Sequence, residues 1–349
     1  MTDAAKAVQR VYAPPGDFVR LTSDEPLVFE LADRLWDPVP AARGDGIRMT
    51  ILQARHSPRM DREDFSEGAS KTGPAAPALP RGEAAAFTFE EKQQWTHEEH
   101  EFRCEVPGAL DVTIDFARAR VVAHLAPALS LLLSEKSSSP SSSSPLLSFL
   151  ARSLLEAPAA VLLGRRGWQV LHAGAVVGPR GAAVVRGPSG AGKSTLVAAA
   201  RRAGLGVLGD ESLFVSRTDP DLLSASVRDL ALREDSARLL GIFETTEPAF
   251  TGHERKCRAD LFNGSAPSDR SARRAACVLL GPRDPGPARL LALSRDAFLE
   301  SFRAGEIPQE RAPGDPDPTA HAWASRGGWL LSGTADLDGA VRLLKGLVA

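Results

Sequence analysis

A glycine, four residues and then Gly-Lys-Ser stand at Gly187, Gly192, Lys193 and Ser194, inside the run Gly187-Pro-Ser-Gly-Ala-Gly-Lys-Ser-Thr195. That spacing admits few local structures. The apolar run Ala182–Val185 before it reads as a buried strand, and alanine-rich Thr195–Arg202 after it reads as a helix. A glycine-rich turn between strand and helix can wrap its N–H groups around a phosphate, because glycine tolerates positive φ and close backbone approach. The helix start adds partial positive charge on the same anion. By reach and charge, the amides of Ser189, Gly190, Ala191, Gly192 and Lys193 would hold phosphate oxygens. Lys193 would contact the β- and γ-phosphates of ATP, Ser194 would ligate Mg²⁺, and Gly187 and Thr195 bound the binding loop.

A second short apolar segment, Gly206-Val-Leu-Gly209, delivers Asp210 and Glu211 to the end of a strand. The gap from Lys193 fits one helix, a turn and a strand. An acidic pair so close to the loop belongs on the strand that the loop's own helix reaches directly. In transporter-type ATPases the acidic strand comes far later.

His172 within Leu171-His172-Ala173, the loop Gly187–Thr195 and the pair Asp210-Glu211 together resemble the catalytic domain of HPr kinase/phosphorylase and the kinases related to it. The likeness covers roughly residues 155–299. It implies an α/β P-loop kinase core of the HPr kinase/phosphoenolpyruvate carboxykinase type, and ATP-dependent phosphorylation of a serine or similar hydroxyl. The acceptor would be a protein, a peptide or a small molecule. Carried over by position, Asp210 is the candidate general base and a metal ligand, His172 stands beside the transferred phosphoryl, and Glu211 and Ser194 complete the Mg²⁺ site. The family's second acidic residue is usually aspartate, and Glu211 is one methylene longer. No segment of the reverse, phosphate-removing activity is found. A non-catalytic ATP-binding regulatory or accessory module is the alternative reading. Family members often assemble, so a homo-oligomer is among the expectations.

The chain has 349 residues, enough for two domains. A formal charge of −2 with 25% charged residues gives no basic field for nucleic acid or an anionic membrane. Cys104, Cys257 and Cys277 are far apart and form no Cys-x-x-Cys, which supports neither a zinc site nor a disulfide framework. The apolar runs are too short to span a bilayer and the first residues carry no apolar signal segment, so a reducing cytoplasm is expected.

Residues 1–154 read as an N-terminal, mainly antiparallel α+β domain, and residues 155–349 as the phosphate-loop domain. Alternation at Phe102, Cys104 and Val106, at Val112–Phe116 and at Val121–Ala123 predicts half-buried strands. Leu27-Val-Phe29, Met49–Leu52 and Phe87-Thr-Phe89 are also expected as strands. Two stretches, about 55–82 and 134–145, are Pro- and Ser-rich with little to bury and are expected as disordered insertions. The second lies between helical runs Ala126–Leu133 and Leu146–Leu155. His97 and His100 with their glutamates lack metal-ligand spacing and read as a solvated hairpin loop.

Further on, Arg228–Arg233 and Asp235–Leu240 predict a strand and a helix, and Gly178–Gly181 a hairpin into the loop strand. Thr251–Arg258 reads as a basic turn in an exposed charged hairpin, while the resemblance to related kinases would instead bring Arg255, Lys256 and Arg258 to the nucleotide. Ala276–Leu280, Ala288–Leu293 and Trp329–Leu331 predict strands. Arg295–Arg303 and Asp336–Val348 predict helices, with a Pro/Asp-rich loop over Glu306–Ala322.

Overall fold

The structure is a computed structural model. It describes residues 8–13, 19–23, 28–29, 32, 37–38, 47–53, 93–98, 100–107, 109–126, 149–225, 230–242, 247–251, 254–259, 271–282, 284–306, 310 and 318–349. The chain is a mixed α/β protein with mixed sheets. The expected insertions, the Phe87–Phe89 strand and almost all of the Ala126–Leu133 helix lie outside the described residues.

The first sheet contains β1 (Val8–Ala13), β2 (Val19–Ser23), β3 (Asp37–Pro38), β4 (Ile47–Gln53), β5 (Gln94–His97), β6 (Glu101–Val106), β7 (Leu110–Asp115) and β8 (Arg120–Leu125), in the order β3-β1-β2-β4-β8-β7-β6-β5. Alternation sets its buried face: Phe102, Cys104 and Val106 pair with Ile114, Val112 and Leu110, which pair in turn with Val121, Ala123 and Leu125. A one-residue slip would turn this whole set outward. Pairing is antiparallel except at the centre, where β2–β4 and β4–β8 run parallel. Val28, Phe29 and Ala32 are helical and buried, which corrects the strand expected at Leu27–Phe29. The spacing Val28 to Ala32 is one helical turn, a signal that a three-residue apolar run hides. β5 and β6 make the expected hairpin, with His100 exposed at its turn. A helical segment covers the sheet, a π-turn at Ala151–Glu156 running into α1 (Ala157–Arg165). Leu150, Leu155, Val161 and Leu163 fill that interface and are fully buried.

The second sheet holds β9 (Trp168–Leu171), β10 (Ala173–Gly178), β11 (Gly181–Arg186), β12 (Gly206–Gly209), β13 (Leu213–Ser216), β14 (Leu222–Ala225), β18 (Ser271–Leu280), β19 (Arg289–Leu293) and β20 (Gly328–Ser332). Its path is β12-β10-β11-β18-β14-β13-β9, with β20 on β18 and β19 on β20. β11, β18 and β20 are mutually parallel, and β10 and β11 form the expected hairpin through Gly178 and Gly181. β11 is buried on both faces, which is why it reads as a continuous apolar run rather than an alternating one. Ala183 and Val185 pack under α2 (Lys193–Arg202) and α6 (Leu337–Val348). Ala182 and Val184 pack with α4 (Arg295–Arg303) and α5 (Pro318–Ala324) on the other side.

Between β14 and β18 the chain forms a small sheet of β15 (Leu230–Arg233), β16 (Glu247–Thr251) and β17 (Glu254–Ala259), with α3 (Glu234–Leu239) following β15. The hairpin expected at Thr251–Arg258 is formed by β16 and β17, and Lys256 pairs in register with Arg233. The Pro/Asp-rich segment expected as loop contains α5, a second correction. Its signal is Trp323, fully buried with its indole N–H donating to the Pro220 carbonyl at 2.8 Å and its ring edge-on to Phe302. Trp323→Ala is expected to cost about 3–5 kcal/mol of stability, measured by urea unfolding, because it opens a cavity under α4.

Candidate functional site

The loop after β11 adopts the geometry that its glycines permit. Gly190 and Gly192 have φ of 79° and 98°, in the left-handed region where a side chain is strained. Gly192 caps α2, accepting from Leu196 N–H at 2.9 Å. Lys193 is 6% exposed, and its Nζ donates to the carbonyls of Gly187 and Pro188 at 2.9 and 3.1 Å. A buried ammonium needs such acceptors, and phosphate oxygens can take their place.

The cleft above the loop is walled by Ser189–Leu196 together with His172, Glu211, Arg233, Ser236, Leu239, Leu280, Thr334 and Leu337. Its polar side is the loop, and its apolar side comes from α3, β18 and the start of α6. Thr195 Oγ1 shares a 2.7 Å hydrogen bond with Ser236 Oγ, which ties α2 to α3. Arg233 crosses the loop so closely that a side-chain carbon at Gly190 would stand 3.0 Å from its Nη2.

His172 is not in the interior of a strand, as its apolar neighbours suggest. It occupies the break between β9 and β10, where the chain leaves its partner β13 at Leu171 and takes up β11 at Ala173. Its backbone N–H, out of both ladders, donates to Glu310 Oε1. Its Nδ1 lies 3.2 Å from the Glu211 carbonyl oxygen. A carbonyl can only accept, so Nδ1 carries the proton and Nε2 keeps a lone pair. Burial first, and then the Lys193 charge, pull the imidazole pKa from 6.5 down to about 4. The ring is neutral at pH 7.

This fixes the sign of a pH effect. Between pH 6.5 and about 4 the unfolded chain takes up a proton at His172 and the folded chain does not, so stability falls as pH falls through that window. The loss should approach roughly 3 kcal/mol at pH 4. Urea unfolding from pH 7 to 4 should show a drop that His172→Gln flattens.

Glu211 carries a φ of 69°, a left-handed conformation that costs a non-glycine about 1–3 kcal/mol. Glu211 lines the cleft. Asp210 lies just before it, after β12 as the sequence implies, but is 5% exposed and sits behind the wall. A side-chain carbon at Gly174 would stand 3.4 Å from Asp210 Oδ1 and 2.7 Å from Val197 Cγ2 of α2, so this carboxylate packs between β10 and the loop helix. The structure thus brings His172, Lys193, Ser194 and Glu211 to one cleft and leaves Asp210 beneath it. The side chains of Arg255, Lys256 and Arg258 lie outside the described residues.

Two residues close to the loop were not singled out in the sequence. Arg186, the last residue of β11, is fully buried and bonds Glu310 through both oxygens, Nη1 to Oε1 at 3.0 Å and Nη2 to Oε2 at 2.6 Å. Burial pushes the Glu310 carboxyl above its usual range and the Arg186 guanidinium opposes it. An arginine ending an apolar strand directly before Gly187 was the available hint, whereas Glu310 lies in a segment read as loop.

Among the described residues no three of His, Cys, Asp and Glu gather as a cation cage. Ser194 and Glu211 lining one cleft nevertheless suit Mg²⁺, which is held by one or two protein oxygens plus substrate phosphates. No helix among the described residues is long and apolar enough to cross a membrane. No family model and no curated protein matches the chain.

Proposed function

We propose that this chain is an ATP-dependent phosphotransferase related to HPr kinase, moving the γ-phosphoryl group of ATP to a serine or similar hydroxyl. The observation that carries the reading is the left-handed glycine loop with Lys193 at its head, opening on a cleft that also holds a neutral imidazole and a carboxylate. The loop amides and Lys193 bind and orient the triphosphate, and Arg233 supplies a second cation over the loop. Mg²⁺, held by Ser194 and Glu211 with phosphate oxygens, would offset charge on the transferring group.

His172 is the better placed of the two proton acceptors. Its Nε2 lone pair belongs to a residue of the cleft wall, and the negative phosphates of bound nucleotide raise the pKa of an imidazole beside them. The acceptor hydroxyl then gives its proton to Nε2 as its oxygen attacks the γ-phosphorus and ADP leaves. Asp210, which the family resemblance makes the base, supports the helix and β10 from behind in this arrangement.

The burial of Asp210 also favours a second reading, an ATP-binding regulatory module that transfers nothing. Incubation with γ-labelled ATP and serine-containing acceptors separates the two. The proposal expects labelled acceptor and ADP in equal amounts, whereas nucleotide occupancy without labelled product or ADP supports the module.

A further inference from the structure

We infer that Glu310 is a positioning residue of this site, fixing where His172 stands relative to the phosphate loop; the inference rests on the phosphotransferase reading above. One carboxylate meets both elements. Oε1 accepts the His172 N–H and one guanidinium nitrogen of Arg186, and Oε2 takes the other. Both side chains are out of solvent, at 0% and 2% exposure. Arg186 is anchored in turn, its Nε donating to the Phe302 carbonyl at 2.8 Å and its guanidinium 4.2 Å over the Phe302 ring. Because Arg186 immediately precedes Gly187, the pair ties the root of the loop to the break in the chain at His172.

The arrangement answers a local problem. At His172 the backbone leaves one ladder before joining the next, so its N–H needs an acceptor from elsewhere. A neutral acceptor would satisfy the N–H. Only a carboxylate also satisfies a buried, permanently charged guanidinium bidentately, and that links the imidazole's position to the loop's. The ring is then held at both ends, by Glu310 on its backbone and by the Glu211 carbonyl on Nδ1. The groups whose charges act on this imidazole are Lys193 and Arg186, which oppose protonation, and Glu211, which favours it.

The test uses two variants of the full chain. Arg186→Met/Glu310→Leu removes both charges while keeping bulk, and Glu310→Gln keeps the side-chain shape. Three readouts are taken: Mg-ATP affinity, kcat with KM, and the ring-nitrogen signals of His172 by NMR at pH 7, which report the hydrogen bond from Nδ1 to Glu211. In both variants kcat should fall about 10- to 100-fold at unchanged KM for ATP, as displacement of a reacting group by an ångström predicts. In the double variant the Nδ1–H signal of the hydrogen bond to the Glu211 carbonyl should be shifted or lost, because the backbone of His172 is no longer held by Glu310. Native kcat in Glu310→Gln, or an unchanged Nδ1–H signal in a folded double variant, overturns the inference. An altered Nδ1–H signal in a chain whose wild type transfers no phosphate keeps Glu310 as the anchor of His172 and rejects the phosphotransferase reading instead.

Discussion

Lys193→Ala is expected to weaken Mg-ATP binding by roughly 100- to 1000-fold, because a buried charge that contacts the phosphates is lost while the loop is otherwise retained. In the protein its Nζ is held by the carbonyls of Gly187 and Pro188, two acceptors that carry no net charge. A triphosphate offers full negative charge at the same point, so the ammonium gains on exchange. Without it, the backbone amides of the loop face the anion alone. Thermal unfolding should show a stable variant, since alanine is a good helix former at the start of α2. Isothermal titration of wild type and variant measures the difference. Equal affinities would mean that nucleotide, if it binds, does so away from this loop.

His172→Asn is expected to lower kcat by roughly 10²- to 10⁴-fold, the usual contribution of a positioned acid or base. The asparagine amide can still donate to the Glu211 carbonyl, so the wall of the cleft keeps a hydrogen bond there. What disappears is the lone-pair nitrogen. Nucleotide affinity should change by no more than about threefold, since a neutral group is exchanged for another neutral group. Asp210→Asn is the informative comparison. If it abolishes transfer while His172→Asn leaves it near normal, the proton goes to Asp210 after a rearrangement that brings this carboxylate through the wall.

The loop was legible because backbone conformation demanded its residue types. Gly190 and Gly192 sit at positive φ, and the strand and helix on either side are written in apolar and alanine-rich runs. The amphipathic helices α4 and α6 were legible for a similar reason: Phe298 and Phe302, and Val341, Leu344 and Val348, lie on single buried faces. His172 was singled out only through the resemblance, and its apolar neighbours misrepresented its backbone. Those neighbours are buried on both sides of a junction between two ladders, and burial looks the same in sequence whether or not the strand is continuous.

Long-range chemistry was not legible. The Arg186–Glu310 pair joins positions 124 residues apart, and Thr195–Ser236 joins positions 41 apart. Hydrogen bonds of that kind leave no periodic trace. Asp210 and Glu211 show the same limit at shorter range. Adjacent acidic residues look equivalent in sequence, but Glu211, at a left-handed backbone, lines the cleft and Asp210 does not.

The most direct measurement is a crystal structure with Mg²⁺ and a non-hydrolysable ATP analogue. It should place β- and γ-phosphate oxygens within about 3 Å of the amides between Ser189 and Ser194 and of Lys193 Nζ, which will have left the carbonyls of Gly187 and Pro188. Nucleotide bound elsewhere, with Nζ still on those two carbonyls and no anion in the loop, would contradict the account.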